Sequence, residues 1–283
     1  MTPRRTMTGS GRSMQGTIDE IAFLVMDLMA TGRTDLGFRF LDRYLADSGD
    51  YEGLRLLRVF LVCRALVRCK VRRMAPNRSL KDGTTPYLTL AGELVEGKSP
   101  RLIITHGFSG SGKTTISATL IGTLPAVRIR SDVERKRLHS LDAGAASDSA
   151  VGGGIYNESA SDRTYEVMRK AADAALDAGF SVIVDATFLS RRRRQRFLEL
   201  ARARDAEFFV LDCVAAESLL RERIESRRDR GDDASEADCA VLERQLVAAD
   251  PLTADERRHV VEVDAANPVS PERLLSMFKA TDQ

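Results

Sequence analysis

A glycine-rich stretch ending in lysine and threonine is the feature of the sequence that most clearly predicts chemistry. Residues 107–114, GFSGSGKT, match the pattern GxxxxGK[ST] at every fixed position. In this pattern backbone N–H groups turn inward around a phosphate, the lysine reaches the β- and γ-phosphates, and the hydroxyl ligates Mg²⁺. The residues predicted to bind ATP are Gly107, Ser109, Gly110, Ser111, Gly112, Lys113, Thr114 and Thr115, with Lys113 also catalytic and Thr114 also a metal ligand.

The residues on either side of this stretch predict the elements that must position it. The apolar, β-branched run at 102–105 predicts a strand, and Ile116, Leu120 and Ile121 recur at helical spacing after Lys113. The N-terminus of that helix adds free N–H donors and partial positive charge to the phosphate site.

Two acids follow later apolar runs of the same kind. Asp132 comes after VRIR and Ser131, and Asp185 closes the run 180–184. Because the carboxyl ends of parallel strands face the ligand crevice, both acids are expected there. Asp132 is predicted to accept a proton from an acceptor hydroxyl, to be the N-cap of the next helix, or to do both. Asp185 fits the Walker-B position, which orients Mg²⁺ directly or through water.

Arginine clusters raise further alternatives. Arg223 and Arg227 lie four apart on one predicted helix face, where they either close over a triphosphate as lid arginines or form a solvated surface. The run 231–235 that follows is predicted to be the tip of the lid. The four-arginine block 191–194 indicates either an anionic contact or a solvated helix face.

Composition and missing motifs exclude several classes of protein. The 283 residues are 43% hydrophobic and 30% charged with a net charge of +2, and no apolar run is long enough to span a bilayer. A GTPase should carry NKxD, which this sequence lacks. The four cysteines form no CxxC pair, which favours a reducing compartment and a cytoplasmic protein.

Composition and residue periodicity divide the chain into four predicted parts. A basic leader (1–16), read as disordered with a transit peptide as the alternative, precedes a helical segment (17–74). Helices are predicted there over 18–29, with Thr17 as cap, 36–46 and 51–74. Proline and glycine interrupt the connector (75–98). The fourth part (99–283) alternates strands with helices and is predicted to be a P-loop kinase domain. The predicted strands are 101–106, 126–130, 180–184, 207–213 and 259–263.

This alternation defines the expected fold class. It predicts an α/β, P-loop NTPase three-layer sandwich with about five parallel strands, preceded by a small all-helical segment. The segment 142–162, rich in Gly, Ala, Ser and Asp, is predicted to be a long loop. It either covers the substrate or is a surface insertion without a role.

The motifs GFSGSGKTT, RSDVERKRL, IVDATF and DDASEAD resemble those of P-loop kinases similar to the 5′-kinase domain of polynucleotide kinase, the AAA-type predicted kinases. The resemblance covers residues about 101–265. It implies that Lys113 and Thr114 hold phosphates and metal, and that Asp132 is the base. It also implies that Arg135 lies beside the acceptor phosphate, Asp185 is a site acid, and Arg223 with Arg227 are lid arginines.

The helical segment resembles the end of the C-terminal lobe of aminoglycoside-phosphotransferase-like kinases, a lobe that precedes such a P-loop domain in known fusions. The HxD catalytic loop of those kinases is absent from this sequence. The resemblance therefore implies a truncated fusion that keeps the helical tail without its active site.

The expected function is an ATP- and Mg²⁺-dependent kinase acting on a hydroxyl-bearing acceptor, more readily a small molecule than a nucleic acid. A partner could bind through the N-terminal helices, and no membrane association is expected. Two alternatives stay open: a nucleotide-binding regulatory module with weak or no catalysis, and a nucleic-acid 5′-hydroxyl kinase.

Overall fold

The structure is a computed structural model that describes residues 14–74, 85–97, 99–142, 155, 157–230, 238–267 and 269–280. Its centre is one five-stranded sheet in which every paired neighbour is parallel and the order is β2-β3-β1-β4-β5. The strands are β1 (Arg101–His106), β2 (Ala126–Arg130), β3 (Ser181–Asp185), β4 (Glu207–Val214) and β5 (Val260–Asp264).

The apolar runs of the sequence explain this sheet. Residues 102–105 of β1 and 182–185 of β3 are buried, as expected for strands covered by helices on both faces. All five strands lie within one residue of their predicted bounds. The predicted fold class, an α/β P-loop NTPase sandwich with five parallel strands, is confirmed.

Helices connect and flank the strands. They are α5 (Lys113–Ile121), α6 (Ser131–Leu138), α7 (Glu158–Asp177), α8 (Arg191–Ala203), α9 (Glu217–Arg230), α10 (Cys239–Ala248), α11 (Ala254–Arg257) and α12 (Pro271–Ala280). The predicted loop 142–162 therefore ends in a helix, because the side chain of Asn157 caps α7 by accepting a hydrogen bond from the Ala160 N–H. Most of that loop, and the predicted lid tip 231–235, lie outside the described residues.

The described part of the helical segment forms three helices, as predicted: α1 (Met14–Ala30), α2 (Thr34–Ser48) and α3 (Leu54–Met74). The prediction of Thr17 as a cap is wrong, because α1 begins at Met14 and Thr17 lies within it. The connector 75–98 also contains a helix that the sequence pattern did not predict, α4 (Thr85–Glu96). Pro86 is tolerated in its first turn, and Leu90 and Leu94 are buried, so tertiary packing outweighs the prolines and glycines.

The helical segment and the sheet share one hydrophobic core. Buried apolar residues of α1 to α4 and of all five strands belong to a single cluster. Phe38 of α2 contacts Phe180 edge-to-face, with ring centroids 6.2 Å apart. Arg58 of α3 lies 5.7 Å from the same Phe180 ring and donates a 2.9 Å hydrogen bond to the carbonyl of Gly179. The helices therefore pack onto the α/β domain through a buried interface.

The outward faces of the helical segment expose several large apolar side chains, including Phe23, Val59, Val67 and Val71. The predicted partner at these helices stays a prediction. In the part of the chain that the structure describes, no helix combines the length and the apolarity that crossing a membrane requires.

The shared core makes a testable prediction at Phe38. Its side chain is 3% exposed, whereas Phe40 on the same helix is 37% exposed. Phe38→Ala should lower the free energy of unfolding by about 3–5 kcal/mol because it leaves a cavity between α2 and the sheet. Thermal and urea unfolding followed by circular dichroism should show one transition shifted as a whole. Phe40→Ala is the matched control and should change stability by less than about 1 kcal/mol; equal effects of the two variants would contradict the shared core.

Candidate active site

The glycine-rich stretch forms a tight turn between β1 and α5, as the sequence predicts. Its backbone is possible because two positions admit no side chain. Gly107 has φ +136°, and a Cβ there would lie 2.6 Å from the carbonyl oxygen of Cys213. Gly110 has φ +85°, and a Cβ there would lie 2.7 Å from the carbonyl oxygen of Leu220. Close neighbours on β4 and α9 therefore shape the loop.

Lys113 is the first residue of α5 and lines the cleft above the sheet. Its Nζ donates hydrogen bonds to the carbonyl of Phe108 at 2.6 Å and to Ser111 Oγ at 3.4 Å, which folds the side chain back over the loop. An ammonium group at the N-terminus of a helix is suited to a polyphosphate.

The predicted metal residues, Thr114 and Asp185, line the same cleft. Asp185 is the last residue of β3, and β3 pairs directly with β1, which carries the loop. The Asp185 carboxylate is 4% exposed, accepts a hydrogen bond from Ser117 Oγ at 3.1 Å, and lies 3.9 Å from Nε of Arg130. One hydroxyl and one carboxylate fit Mg²⁺, a hard cation that takes its other oxygen ligands from water and phosphates. No group of three or more His, Cys, Asp or Glu side chains gathers in the described residues.

Asp132 and Arg135 lie on α6, which begins directly after β2, and both line the cleft. The N-cap of α6 is Arg130, so the alternative that Asp132 is a helix cap is wrong; Asp132 lies within the first turn. Arg135 is 7% exposed, and its Nη1 donates to the Ile155 carbonyl at 3.0 Å and to Ser161 Oγ at 3.2 Å. These contacts hold the guanidinium against the start of α7.

Arg223 of α9 lies beside the glycine-rich loop. Its Nη2 donates to the carbonyl of Ala265, just after β5, at 2.7 Å, and its Nη1 lies 3.5 Å from the carbonyl of Gly110. The backbone of Arg227 belongs to the same helix. The side chain of Arg227 lies outside the described part of the chain, so its predicted lid role stays a prediction.

The helix α10 docks on the loop through a residue that the sequence analysis did not select. Gln245 accepts a hydrogen bond from the Ser109 N–H at 2.9 Å and donates one to Ser109 Oγ at 3.0 Å. Phe108 packs against a small cluster of buried residues, Leu220, Ile224 and Leu242, from α9 and α10. The loop and these two helices therefore form one packed unit.

Together these residues line a cleft of about 1150 Å³ at the carboxyl edge of the sheet. Predicted site residues on its wall are Ser109, Gly110, Gly112, Lys113, Thr114, Thr115, Asp132, Arg135, Asp185 and Arg223. Among the predicted residues whose side chains the structure describes, two are not on this wall: Gly107, which lies against β4, and Ser111, which is 1% exposed. Cleft residues that the sequence analysis missed include Arg130, Thr187 and Gln245. Arg130 could have been selected from the sequence, because arginine is unusual in a strand of an α/β sheet such as AVRIR.

The arginine block at the start of α8 resolves into different roles. Arg194 is 1% exposed, so it lies neither on a solvated helix face nor where an anionic substrate could contact it. It forms a bidentate ion pair with Glu256 at 2.6 and 3.1 Å and donates to four backbone carbonyls, those of Phe188, Leu189, Asp250 and Pro251. Arg192 and Arg193 both pair with Asp162 of α7, at 2.7 and 3.0 Å, and line the cleft. Arg194 therefore ties α8 to the segment before α11.

Comparison with known proteins identifies the family of this chain. Residues 102–252, more than half of the chain, match the AAA_33 family of AAA domains. The chain belongs to this family. Uncharacterized proteins of Mycobacterium bovis and Mycobacterium tuberculosis are each 28% identical over 228 residues, which are 80% of this chain and 46% of theirs. The chain thus spans less than half the length of these relatives.

Solved structures that are similar to part of this chain include the following three proteins. A sugar kinase from Janibacter is 20% identical, with a TM-score of 0.45 over 64% of this chain and 98% of its own. A gluconokinase from Sinorhizobium meliloti is 18% identical, with a TM-score of 0.43 over 65% and 90%. Kti12 of Chaetomium thermophilum, in complex with ADP-AlF₃, is 17% identical, with a TM-score of 0.48 over 63% and 96%. The narrower resemblance to polynucleotide kinase stays a prediction.

The buried pair Arg194–Glu256 makes a prediction about stability and pH. Arg194→Met should lower the free energy of unfolding by about 3–5 kcal/mol because it leaves a buried carboxylate and several carbonyls without their donor. Chemical denaturation at pH 7 measures this. The matched control is Arg192→Met, because the Arg192 side chain is 62% exposed and its loss should cost less than about 1 kcal/mol.

The pH dependence of the same pair follows from Glu256. Burial by itself would raise the pKa of Glu256, but hydrogen bonds from Arg194 and from the Thr253 N–H outweigh burial and hold the pKa below its ordinary value. A lowered folded-state pKa stabilises the protein above the unfolded-state pKa, and that stabilisation is lost as the pH falls through the folded-state pKa. The stability advantage of the wild type over Arg194→Met should therefore shrink in acid. An advantage that grows below pH about 4 would contradict the ion pair.

Proposed function

We propose that this chain is an ATP- and Mg²⁺-dependent phosphotransferase that moves the γ-phosphate of ATP to an acceptor hydroxyl. The observation that carries the proposal is that one cleft is lined by Lys113 and Thr114 of the loop, by Asp185, and by Asp132. Membership of the AAA_33 family supports nucleotide binding in general. The acceptor is a hydroxyl compound, with a small molecule favoured over a nucleic acid.

Each residue has a role that follows from its place in the cleft. The N–H groups of the loop and Nζ of Lys113 hold the phosphates of ATP, and Thr114 with Asp185 would hold Mg²⁺, which neutralises phosphate charge when bound. Arg223, anchored on the Ala265 carbonyl, lies where it can add positive charge near the loop. Most of the catalysis in such a site comes from positioning and from charge that is already in place.

Asp132 is the proposed general base. As the acceptor oxygen forms its bond to the γ-phosphorus, the bond from that phosphorus to the bridging oxygen breaks, ADP leaves, and the hydroxyl proton passes to the Asp132 carboxylate. Arg135 lies one helical turn further along α6 and is held by α7. From there it would orient an acceptor that carries negative charge.

The nucleic-acid alternative draws little support from the arginine block, because Arg194 is buried and Arg192 and Arg193 are paired with Asp162. The regulatory alternative, a module that binds nucleotide with little or no transfer, is an outcome of the acceptor experiment below.

Loss of Lys113 tests the nucleotide site. Lys113→Ala should weaken ATP binding by about 10- to 100-fold, because a hydrogen-bonded charge on the phosphates contributes about 1.5–3 kcal/mol. Isothermal titration calorimetry with the β,γ-imido analogue of ATP measures this. Lys170→Ala is the matched control, since Lys170 is exposed on α7 outside the cleft. Unchanged affinity in Lys113→Ala would refute the site.

Loss of the Asp132 charge tests the base. Asp132→Asn should bind the analogue with affinity within about twofold of wild type and transfer phosphate about 10²- to 10⁴-fold more slowly, because the proton acceptor is gone. The measurement uses ATP labelled at the γ-phosphate and a panel of sugars, nucleosides and 5′-hydroxyl oligonucleotides. Asp255→Asn, an exposed acid outside the cleft, is the control. Transfer by Asp132→Asn at the wild-type rate would eliminate the base, and label released by wild type only as free phosphate would favour the regulatory module.

A further inference from the structure

A largely buried ion pair joins the helical segment to strand β2. Asp42 of α2 accepts hydrogen bonds from Arg128 in a bidentate pair, Nε to Oδ1 at 3.1 Å and Nη2 to Oδ2 at 2.9 Å. The side chain of Asp42 is 17% exposed and that of Arg128 is 10% exposed, so the pair is largely shielded from water. Two parallel hydrogen bonds fix the plane of the guanidinium group.

The remaining nitrogen of this guanidinium, Nη1, faces helix α5, which begins at the end of the glycine-rich loop 107–114. Nη1 of Arg128 lies 3.3 Å from the carbonyl oxygen of Thr114 and 3.4 Å from Ser117 Oγ, and donates to both. Because the pair with Asp42 sets the guanidinium plane, Asp42 also sets the direction of these two contacts. The backbone of Thr114 is therefore held from the helical segment.

Ser117 extends this chain of hydrogen bonds to the second predicted metal residue. Its hydroxyl accepts from Arg128 and lies 3.1 Å from Oδ2 of Asp185 and 3.0 Å from the Thr114 carbonyl, either of which can accept its hydrogen. The sequence of contacts runs Asp42, Arg128, Ser117, Asp185. Thr114 and Asp185, on different elements, thus share one support.

We propose that Asp42 is a positioning residue for the Mg²⁺ ligands Thr114 and Asp185, so that the helical segment is part of the catalytic apparatus. This inference rests on the proposed function, because it assumes that Thr114 and Asp185 hold the metal. Asp42 acts in two ways. It aims Arg128 at α5, and its negative charge offsets a guanidinium that would otherwise lie uncompensated near Asp185 and oppose a cation there.

Other contacts across the same interface hold the helices without reaching α5. Tyr51 donates a 2.9 Å hydrogen bond to Glu134 of α6, and Arg58 donates to the Gly179 carbonyl. Arg55 pairs with Asp177 at the end of α7. These contacts provide matched controls, because their loss should weaken the interface and leave the support of Thr114 and Asp185 in place.

The experiment measures how strongly Mg²⁺ tightens nucleotide binding. Calorimetry with the β,γ-imido analogue of ATP, with Mg²⁺ and with EDTA, yields the ratio of the two dissociation constants for the full chain. Asp42→Asn should reduce this ratio by about five- to tenfold relative to wild type, while binding in EDTA changes by less than about twofold. The readout is independent of catalysis and of the acceptor.

Two further variants separate positioning from stability. Arg128→Lys keeps the positive charge but loses the two-pronged geometry, so it should reduce the ratio in the same direction. It also serves as the test if Asp42→Asn does not fold by circular dichroism. Tyr51→Phe removes a buried hydrogen bond of the same interface; it should lower the melting temperature and leave the Mg²⁺ ratio at the wild-type value.

The outcomes distinguish this inference from the proposed function. A wild-type ratio in both Asp42→Asn and Arg128→Lys overturns the positioning role while the nucleotide site stands. An equal reduction in Tyr51→Phe also overturns it, because any loosening of the interface would then have the same effect. A wild-type protein whose nucleotide binding does not respond to Mg²⁺ refutes the metal site itself, and the inference with it.

Discussion

The parallel pairing of β1 with β3 is the constraint on which the site depends. Ile104 lies opposite Val184, so the turn after β1 and the acid that ends β3 emerge side by side. The neighbouring pair β2–β3 places Arg130 opposite Asp185 in the same way. Because parallel strands end at one edge of a sheet, the glycine-rich loop, the predicted metal residues Thr114 and Asp185, and Asp132 lie at that edge without long connecting loops.

The glycine-rich loop 107–114 matches the P-loop pattern in its own sequence, but residues of neighbouring elements determine its conformation. Gly107 fits against β4, Gly110 fits against α9, and Arg223 spans from the loop to the residue after β5. Ser109 is held by Gln245 of α10 through two hydrogen bonds. Movement of α9 and α10 would therefore act directly on the loop, since both helices share buried contacts with Phe108.

The helical segment is integrated into this architecture. It shares the core of the sheet, and its polar contacts reach strand β2 and helices α6 and α7. The resemblance to the end of another kinase's C-terminal lobe concerns where these helices came from, and it stays a prediction. Whatever their origin, these helices bury apolar side chains in the core that they share with the sheet, and such burial is the dominant stabilising contribution in folding.

The sequence by itself determined the five strands and the glycine turn, and it indicated that the acids Asp132 and Asp185 follow apolar runs. These signals are local, because periodicity and turn residues act within a few positions. Only the tertiary structure decided the burial of Arg194, the helix α4 inside a stretch punctuated by proline and glycine, and the pair Asp42–Arg128. The partners in these cases lie tens of residues apart, 86 for Asp42 and Arg128. From sequence alone a charged side chain is expected to be solvated. Folding can bring a distant counter-charge beside it in a site with little access to water.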